Sequence, residues 1–147
     1  MSRSKVLRSV VRVLEDYEPL AILLGHVKDA ESVAEGARIV GDTARLELNG
    51  HLPILILSFS DSQGLNPQRE DKSWEVEVFV HSEDIFEAAD VVDAVERACL
   101  ACRLDKTLPQ PLNQISPGPA ERVASERGSP YLIEFRAPLS VRWIETE

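Results

Sequence analysis

The sequence contains one pair of side chains whose spacing is typical of redox or metal chemistry: Cys99 and Cys102, separated by Leu100 and Ala101. A redox-active pair with this spacing places its first cysteine at the N-terminus of a helix, where the helix dipole lowers the thiol pKa. Cys99 and Cys102 instead fall near the end of a predicted helix, on its apolar side. A structural zinc site needs four ligands, and the chain has no second cysteine pair. The pattern therefore favours two cysteines in a protein core, with a metal or redox site as the alternative.

The histidines and one pair of glutamates are the next candidates for acid–base or ligand chemistry. His26, His51 and His81 are scattered, and no two are four residues apart; His51 and His81 fall at positions that are common on protein surfaces. Glu75 and Glu77 share one face of a predicted strand, and a solvated outer face is the simpler interpretation. The sequence also lacks a G-x-S-x-G motif, a G-x-G-x-x-G motif and a phosphate-binding loop. It predicts no catalytic residue, no cofactor and no metal site, and therefore a protein that is not an enzyme.

Composition limits the function classes further. The chain has 147 residues, and we expect one domain that spans residues 1–147. Its 25 acidic and 16 basic side chains give a net charge of −9, whereas tight binding of duplex DNA needs a basic surface. An acidic surface would repel the phosphate backbone and let DNA slide past it. No apolar run approaches the roughly 18 residues of a transmembrane helix, so we expect no membrane contact.

Hydrophobic periodicity predicts two amphipathic helices. The first begins near Ser4, and a short apolar turn after Pro19 ends at Gly25. The second covers residues 83–104, and we expect Ser82 to be its N-cap. Its predicted buried stripe recurs every three to four residues. The stripe consists of Ile85, Ala88, Val92, Val95, Cys99 and Cys102.

Alternating or continuous apolar runs predict the strands. Asn49-Gly50 lies between two apolar runs and predicts a hairpin, because both of its residues accept positive φ. Ile54–Leu57 is continuously apolar, as expected of a strand covered on both faces. Trp74–Val80 alternates between apolar and polar residues, and we expect its apolar face to pack on the stripe of the second helix. Residues 131–135 and 139–143 predict a terminal hairpin, joined by the Arg-Ala-Pro segment between them.

These elements predict an α+β fold in the order α-β-β-β-α-β-β, with two helices packed on one face of a mixed or antiparallel sheet of about four to five strands. Residues 60–72 and 105–130 have no predicted regular structure, and the second segment contains five prolines. Long loops inside compact domains are commonly functional. The cations of these loops are therefore candidate contacts with other subunits or partner proteins, with ordinary solvated loop charge as the alternative. These cations are Arg69, Lys72, Arg122 and Arg127.

The order of the elements resembles that of the tail-terminator and tail-completion (neck) proteins of long-tailed phages and related archaeal viruses. An amphipathic helix ends in the Leu-rich turn Leu20–Gly25, and a Leu-Pro pair leads into the hydrophobic strand Leu52–Ser58. After a long loop, the alternating strand Trp74–Ser82 leads into the Ala- and Val-rich helix Glu83–Leu104, and a terminal pair of strands follows. The resemblance covers most of the chain.

The resemblance implies a structural protein of the virion tail or neck that is assembled in the host cytoplasm. Such proteins form a ring, commonly a hexamer, that ends polymerisation of the tail tube and joins it to head-completion proteins. DNA passes through the ring lumen without tight binding, which suits the acidic composition. Two alternatives stay open: a head-completion (stopper or adaptor) protein of a tailed virus, and a small α+β ligand-binding protein or enzyme with an unrecognised site.

Overall fold

The structure is a computed structural model that describes residues 3–43, 48, 50–59, 71–105, 109, 112–124 and 132–144. Within these residues, three α-helices and a short 3-10 helix accompany six strands of one mixed sheet. The elements are α1 (Arg3–Glu15), α2 (Glu18–Leu24), the 3-10 helix (Val33–Glu35), β1 (Ile39–Gly41), β2 (Ile54–Phe59), β3 (Asp71–Ser82), α3 (Ile85–Asp105), β4 (Leu112–Pro117), β5 (Glu121–Val123) and β6 (Ile133–Ile144). The expected α+β class is confirmed, with one short helix and one strand more than the sequence indicated.

The strands follow the order β1-β2-β3-β6-β4, and β5 pairs with β6 beside β4. β1 is parallel to β2, and the other described pairings are antiparallel. The two longest strands, β3 and β6, pair along their whole length, from Asp71 opposite Ile144 to Ser82 opposite Ile133. They form the centre of the sheet, and the short strands β1, β4 and β5 form its edges.

The core lies between one face of the sheet and the helices. The inward residues of β3 and the stripe of α3 belong to one buried cluster, which includes Trp74, Val76, Val78, Val80, Val92, Val95 and Cys99. Val95 is 0% exposed, so the predicted packing of this strand on this helix is confirmed. At one end of the core the Trp74 ring meets Phe59 and Trp143 edge to face, with centroid distances of 5.1 and 4.6 Å.

The end of α2 agrees with the sequence. Gly25 has a left-handed φ of 66°, which a glycine adopts without steric cost. Its N–H donates to the carbonyl of Ile22 at 3.1 Å, and the next N–H, of His26, donates to the carbonyl of Ala21 at 2.9 Å. This pair of hydrogen bonds satisfies carbonyls that the helix end would otherwise leave unpaired.

The start of α3 differs from the prediction that Ser82 is its N-cap. The helix begins at Ile85, and the cap is Asp84, whose carboxylate accepts the N–H of Phe86 at 2.9 Å. The Ser82 hydroxyl accepts the N–H of Asp84 at 3.1 Å and donates to the Glu87 carboxylate at 2.7 Å, so it orders the turn before the helix. Because the helix begins later, Ile85 is exposed rather than part of the buried stripe.

Two short strands occupy part of the Pro-rich segment 105–130, for which the sequence predicted no regular structure. β4 buries Leu112 and Ile115 in the core. Pro117 is the last residue of β4, and β4 is an edge strand. Proline is tolerated at such positions because the missing N–H removes no bond to a second neighbour.

The prediction of a terminal hairpin is wrong, because residues 133–144 form the single strand β6. Pro138 lies in its middle, opposite Glu77 of β3. The Pro138 carbonyl accepts the N–H of Gly118 at 2.8 Å. A residue in an antiparallel sheet directs its N–H and C=O to the same neighbouring strand. The backbone of Pro138 therefore points away from β3. The missing N–H therefore falls in the gap between β4 and β5 and removes no bond to β3.

The neighbours of β2 also differ from a simple hairpin. The sequence predicted a hairpin in which the segment before Asn49-Gly50 pairs with β2. Most of that segment lies outside the described residues, because residues 44–47 and 49 are not among them. Within the described part, β2 pairs with β3 and with β1, where Ile39 lies opposite Leu55. β1 comes from the polar segment 26–42, for which the sequence predicted no element.

Candidate functional site

The outer face of the sheet, away from the helices, carries a charged cluster centred on Arg136 of β6. Its guanidinium donates to Glu77 at 2.8 Å and to Glu75 and Glu121 at 2.9 Å each. These carboxylates lie on β3 and β5, the strands on either side of β6. The hydrogen bond to Glu77, followed by the hydrogen bond to Glu121, raises the pKa of Arg136 above its usual value, although burial acts in the opposite direction.

The cluster revises the interpretation of Glu75 and Glu77 as a solvated outer face. The two side chains do lie on that face, but they are 31% and 17% exposed and both accept a hydrogen bond from Arg136. Charge-assisted hydrogen bonds that join three neighbouring strands suit cross-strand linkage. The arrangement positions Glu121, and with it the adjacent Arg122, on the edge strand β5.

A histidine and a carboxylate are in contact further along the same face. Nε2 of His81 is 2.6 Å from Oε1 of Glu134, and the two side chains are 1% and 10% exposed. They lie directly opposite each other on β3 and β6. The pair borders a cavity of about 260 Å³ whose lining also includes Asp42, Ile56 and Phe79. His81 is therefore a buried residue in close contact with Glu134, in contrast to the surface position that the sequence indicated.

The other two histidines lie on either side of Arg38. The backbone N–H of Arg38 donates to Nδ1 of His26 at 3.0 Å, so in the neutral ring Nε2 carries the proton, 3.2 Å from the Glu15 carboxylate. The Arg38 guanidinium lies 3.4 Å from Nδ1 of His51. These contacts hold the segment before β1 against the end of α1. In the described residues, no group of three or more His, Cys, Asp or Glu side chains is placed to hold a metal ion.

Cys99 and Cys102 are 0% and 6% exposed, so their predicted place in the core is confirmed. Burial, and after it the neighbouring Cys102, raises the pKa of Cys99 to about 12. The thiolate is the form that attacks disulfides and binds metals. Cys99 is thus almost entirely protonated at neutral pH, which is the opposite of a redox-active cysteine.

Of the four predicted contact cations, the structure describes the backbone of two. Arg69 and Arg127 lie outside the described residues. Lys72 is in β3 opposite Trp143, and Arg122 is exposed on β5 opposite Phe135. Eight residues of β6 separate those two positions, which corresponds to about 26 Å along the strand. Lys72 and Arg122 therefore occupy distant positions along the sheet.

The exposed sides of α1 and α3 carry charges of opposite sign. The sequence-based prediction of contact residues was confined to the loops and did not include these helices. Residues spaced by three or four positions share one face of a helix. By this rule α1 presents a basic face and α3 an acidic face. The basic face of α1 consists of Lys5, Arg8 and Arg12; the acidic face of α3 consists of Asp90, Asp93 and the partly exposed Glu96, and it also includes the exposed Arg97. Charges at these spacings opposite an apolar stripe are the sequence signal that could have identified both faces.

Exposed apolar side chains are concentrated on the same layer. Of the six large hydrophobic side chains that are exposed in the described part of the chain, five lie on α2 and α3. Phe86 and Ile22 are the most exposed, at 79% and 70%. Clustered apolar exposure is typical of protein–protein contact surfaces. No described helix combines the length and the apolar character that a membrane crossing requires.

Comparison with known proteins shows a similarity in fold. No protein-family profile matches the sequence. No curated protein matches it either. The fold is similar to that of a chain in the solved structure of the virion of a native gene transfer agent particle, with a TM-score of 0.65 and 14% sequence identity. The similarity covers 95% of this chain and 94% of the other, so the two share an architecture over almost their whole lengths.

Proposed function

We propose that this protein is a structural subunit of a virion, and more specifically a tail-terminator or neck ring subunit. The observation that carries the proposal is the similarity to a chain of a gene transfer agent virion, which extends over 95% of this chain and 94% of the other. A fold alone does not determine function, so the surface chemistry has to agree with it.

The polar side chains of the sheet support a structural role. Arg136 joins three carboxylates across β3, β6 and β5, and His81 is paired with Glu134. Cys99 is buried and protonated. In the described residues these groups link elements of the fold and do not combine a nucleophile with a base and a group that orients it.

The finer proposal combines the resemblance in element order with the charge of the chain. Six copies would form a ring on the head-proximal end of the tail tube, between the tail-tube protein and the head-completion proteins. A net charge of −9 favours the passage of DNA through the lumen without tight binding. Arg69, Lys72, Arg122 and Arg127 would contact neighbouring subunits or partner proteins.

Deletion of the encoding gene tests the proposal. Electron micrographs of the mutant lysate should show unjoined heads together with tails of uncontrolled length, because nothing ends tube polymerisation. Expression of the wild-type chain in trans should restore normal particles, and immunogold labelling should mark the head–tail junction. Particles of normal form and number in the mutant would contradict the proposal.

The same gene deletion distinguishes a tail terminator from a head-completion protein. A stopper or adaptor protein would leave tails of normal length, and its loss would give heads that fail to bind them. The ligand-binding or enzymatic alternative would use the cavity beside His81 and Glu134. It predicts a monomer or dimer in solution and labelling absent from particles, whereas a ring subunit forms hexamers or stacks.

A further inference from the structure

We infer that the basic face of α1 binds the acidic face of α3 in a second copy of this chain, so that successive copies join head to tail. The inference rests on the proposed function for the premise that copies of the chain meet in a particle. It adds the surfaces through which they meet. These surfaces belong to the helical layer and not to the predicted loop contacts.

Charge in the helical layer is strongly uneven. Residues 3–15 contain four cations and one acid, whereas residues 83–97 contain six acids and one arginine. The net charges of these segments are +3 and −5, in a chain whose total is −9. The basic α1 of one copy therefore attracts the acidic α3 of a neighbouring copy, whereas two acidic surfaces would repel each other.

The two faces match in length and are available for contact. Lys5 and Arg12 are seven residues apart and Asp90 and Glu96 are six, so each face extends about 10 Å along its helix. Arg8, Arg12, Asp90 and Asp93 are exposed and have no ion-pair partner in the described residues. The exposed Arg97 lies one turn after Asp93 and lowers the net negative charge of the acidic face without reversing it. Within one copy α1 and α3 pack on each other through residues of the buried cluster, and their charged faces lie on the exposed side of the helices.

A second copy is the partner that satisfies both faces with one repeated contact. Such a head-to-tail interface is heterologous, and it closes into a ring when the rotation between copies divides a full turn. Exposed apolar side chains accompany both faces: Phe86 and Leu100 flank the acidic face, and Ile22 and Leu23 follow the basic helix. Apolar contacts of this kind supply affinity, while complementary charges select the register.

Two charge-reversal variants test the inference: Arg8→Glu with Arg12→Glu, and Asp90→Arg with Asp93→Arg. Each variant sets like charges against each other, so self-association measured by sedimentation velocity at low ionic strength should weaken by about 100-fold. An equimolar mixture joins α1 of the first variant to α3 of the second, and the reverse, with opposite charges at every contact. The mixture should regain association, and a chain with all four substitutions should regain it alone.

A matched control keeps the change in charge but moves it off the acidic face. Glu18→Arg with Glu31→Arg alters two exposed acids outside both faces, and this variant should associate as the wild type does. Circular dichroism and urea unfolding should show that every variant is folded. Association of the wild type should also weaken as salt rises, because ions screen exposed charges.

Several results would overturn the inference: reversal variants that associate normally, a mixture that fails to recover, or a wild-type chain that stays monomeric at its highest soluble concentration. If Arg8→Glu with Arg12→Glu abolished binding to duplex DNA and left self-association intact, the basic face would be a DNA surface instead. Incorporation into particles separates this inference from the proposed function. If the reversal variants enter particles normally, only the proposed interface is refuted. If the wild-type chain forms rings that depend on these charges but is absent from particles, only the virion role is refuted.

Discussion

Replacing Arg136 with methionine should remove, in one step, the side-chain links between β3, β6 and β5. Methionine keeps an unbranched chain of similar length but carries no charge and donates no hydrogen bond. Glu75 and Glu77, which share one face of β3, would lose their common donor and be left as neighbouring like charges. Glu121 would lose its link from β5 to β6.

The expected loss in the free energy of unfolding follows from the solvent exposure of each ion pair. Arg136, Glu75 and Glu77 are 29%, 31% and 17% exposed, so each of the two bonds to β3 should contribute about 1 kcal/mol, the upper end for surface pairs. Glu121 is 60% exposed, and its bond should contribute only about 0.3 kcal/mol. We therefore expect Arg136→Met to lower the free energy of unfolding by about 2 kcal/mol. With an m-value of about 2 kcal/mol/M, the urea midpoint should fall by about 1 M.

Urea unfolding in two backgrounds isolates the ionic part of the loss. In a chain that already carries Glu75→Gln and Glu77→Gln, the same substitution should cost less than about half as much, because the charges of two of the three carboxylates that Arg136 pairs with are absent. Since the pKa of Arg136 is raised, its contribution is fully present below the usual arginine range and is lost only as the pH rises through the higher pKa of the folded state. The difference between wild type and Arg136→Met should therefore be constant from about pH 6 to 9.

Two outcomes would refute this account of the cluster. A loss smaller than about 0.5 kcal/mol would mean that the pairs are no better than fully solvated surface pairs. An equal loss in both backgrounds would mean that Arg136 acts through packing of its aliphatic stem and not through its charge.

Three further substitutions or reactions check the core and the helix ends. Val95→Ala should lower the free energy of unfolding by about 2 kcal/mol in urea, because a fully buried side chain leaves a cavity. The Cys99 thiol, with its pKa raised to about 12, should resist a thiol reagent near neutral pH until the protein is unfolded. Above its ordinary pKa of 9.0, ionisation in the unfolded chain should progressively favour unfolding. Gly25→Ala should cost about 1 kcal/mol, measured as a lower Tm, because alanine is strained at a φ of 66°.

The elements that could be predicted from the sequence are those with a long periodic or continuously apolar pattern. α1, α3 and β3 repeat their apolar residues over several turns or pleats, β2 contains a continuous apolar run, and the structure contains all four. β1 has three residues, too few to establish a period. The strands β4 and β5 were missed because prolines normally argue against sheet, and that argument weakens at an edge, where one side of the strand needs no partner.

The errors at the C-terminal strand and at the charged cluster have a different cause, which is tertiary placement. Pro138 indicates a turn when the sequence is considered alone, and it is compatible with a strand only because the gap between β4 and β5 faces its missing N–H. Arg136 is 59 residues from Glu77 and 61 from Glu75 along the chain. No local spacing rule links residues that far apart, so the cluster could not be identified before the strand register was known.

On the outer face of the sheet, charged side chains pair with one another within the chain, whereas several on the helical layer do not. This difference bears on which surface could contact another copy. On the outer face of the sheet, Arg136 and His81 engage the nearby carboxylates within the chain, so an incoming partner would have to displace bonds that already exist. On the helical layer, Arg8, Arg12, Asp90 and Asp93 are exposed and not paired with one another. Bringing such charges together costs little desolvation at the rim of an interface and gives orientation. A contact through the helices therefore uses charges that the fold leaves available, whereas a contact through the outer face would depend mainly on shape and on the edges of the sheet.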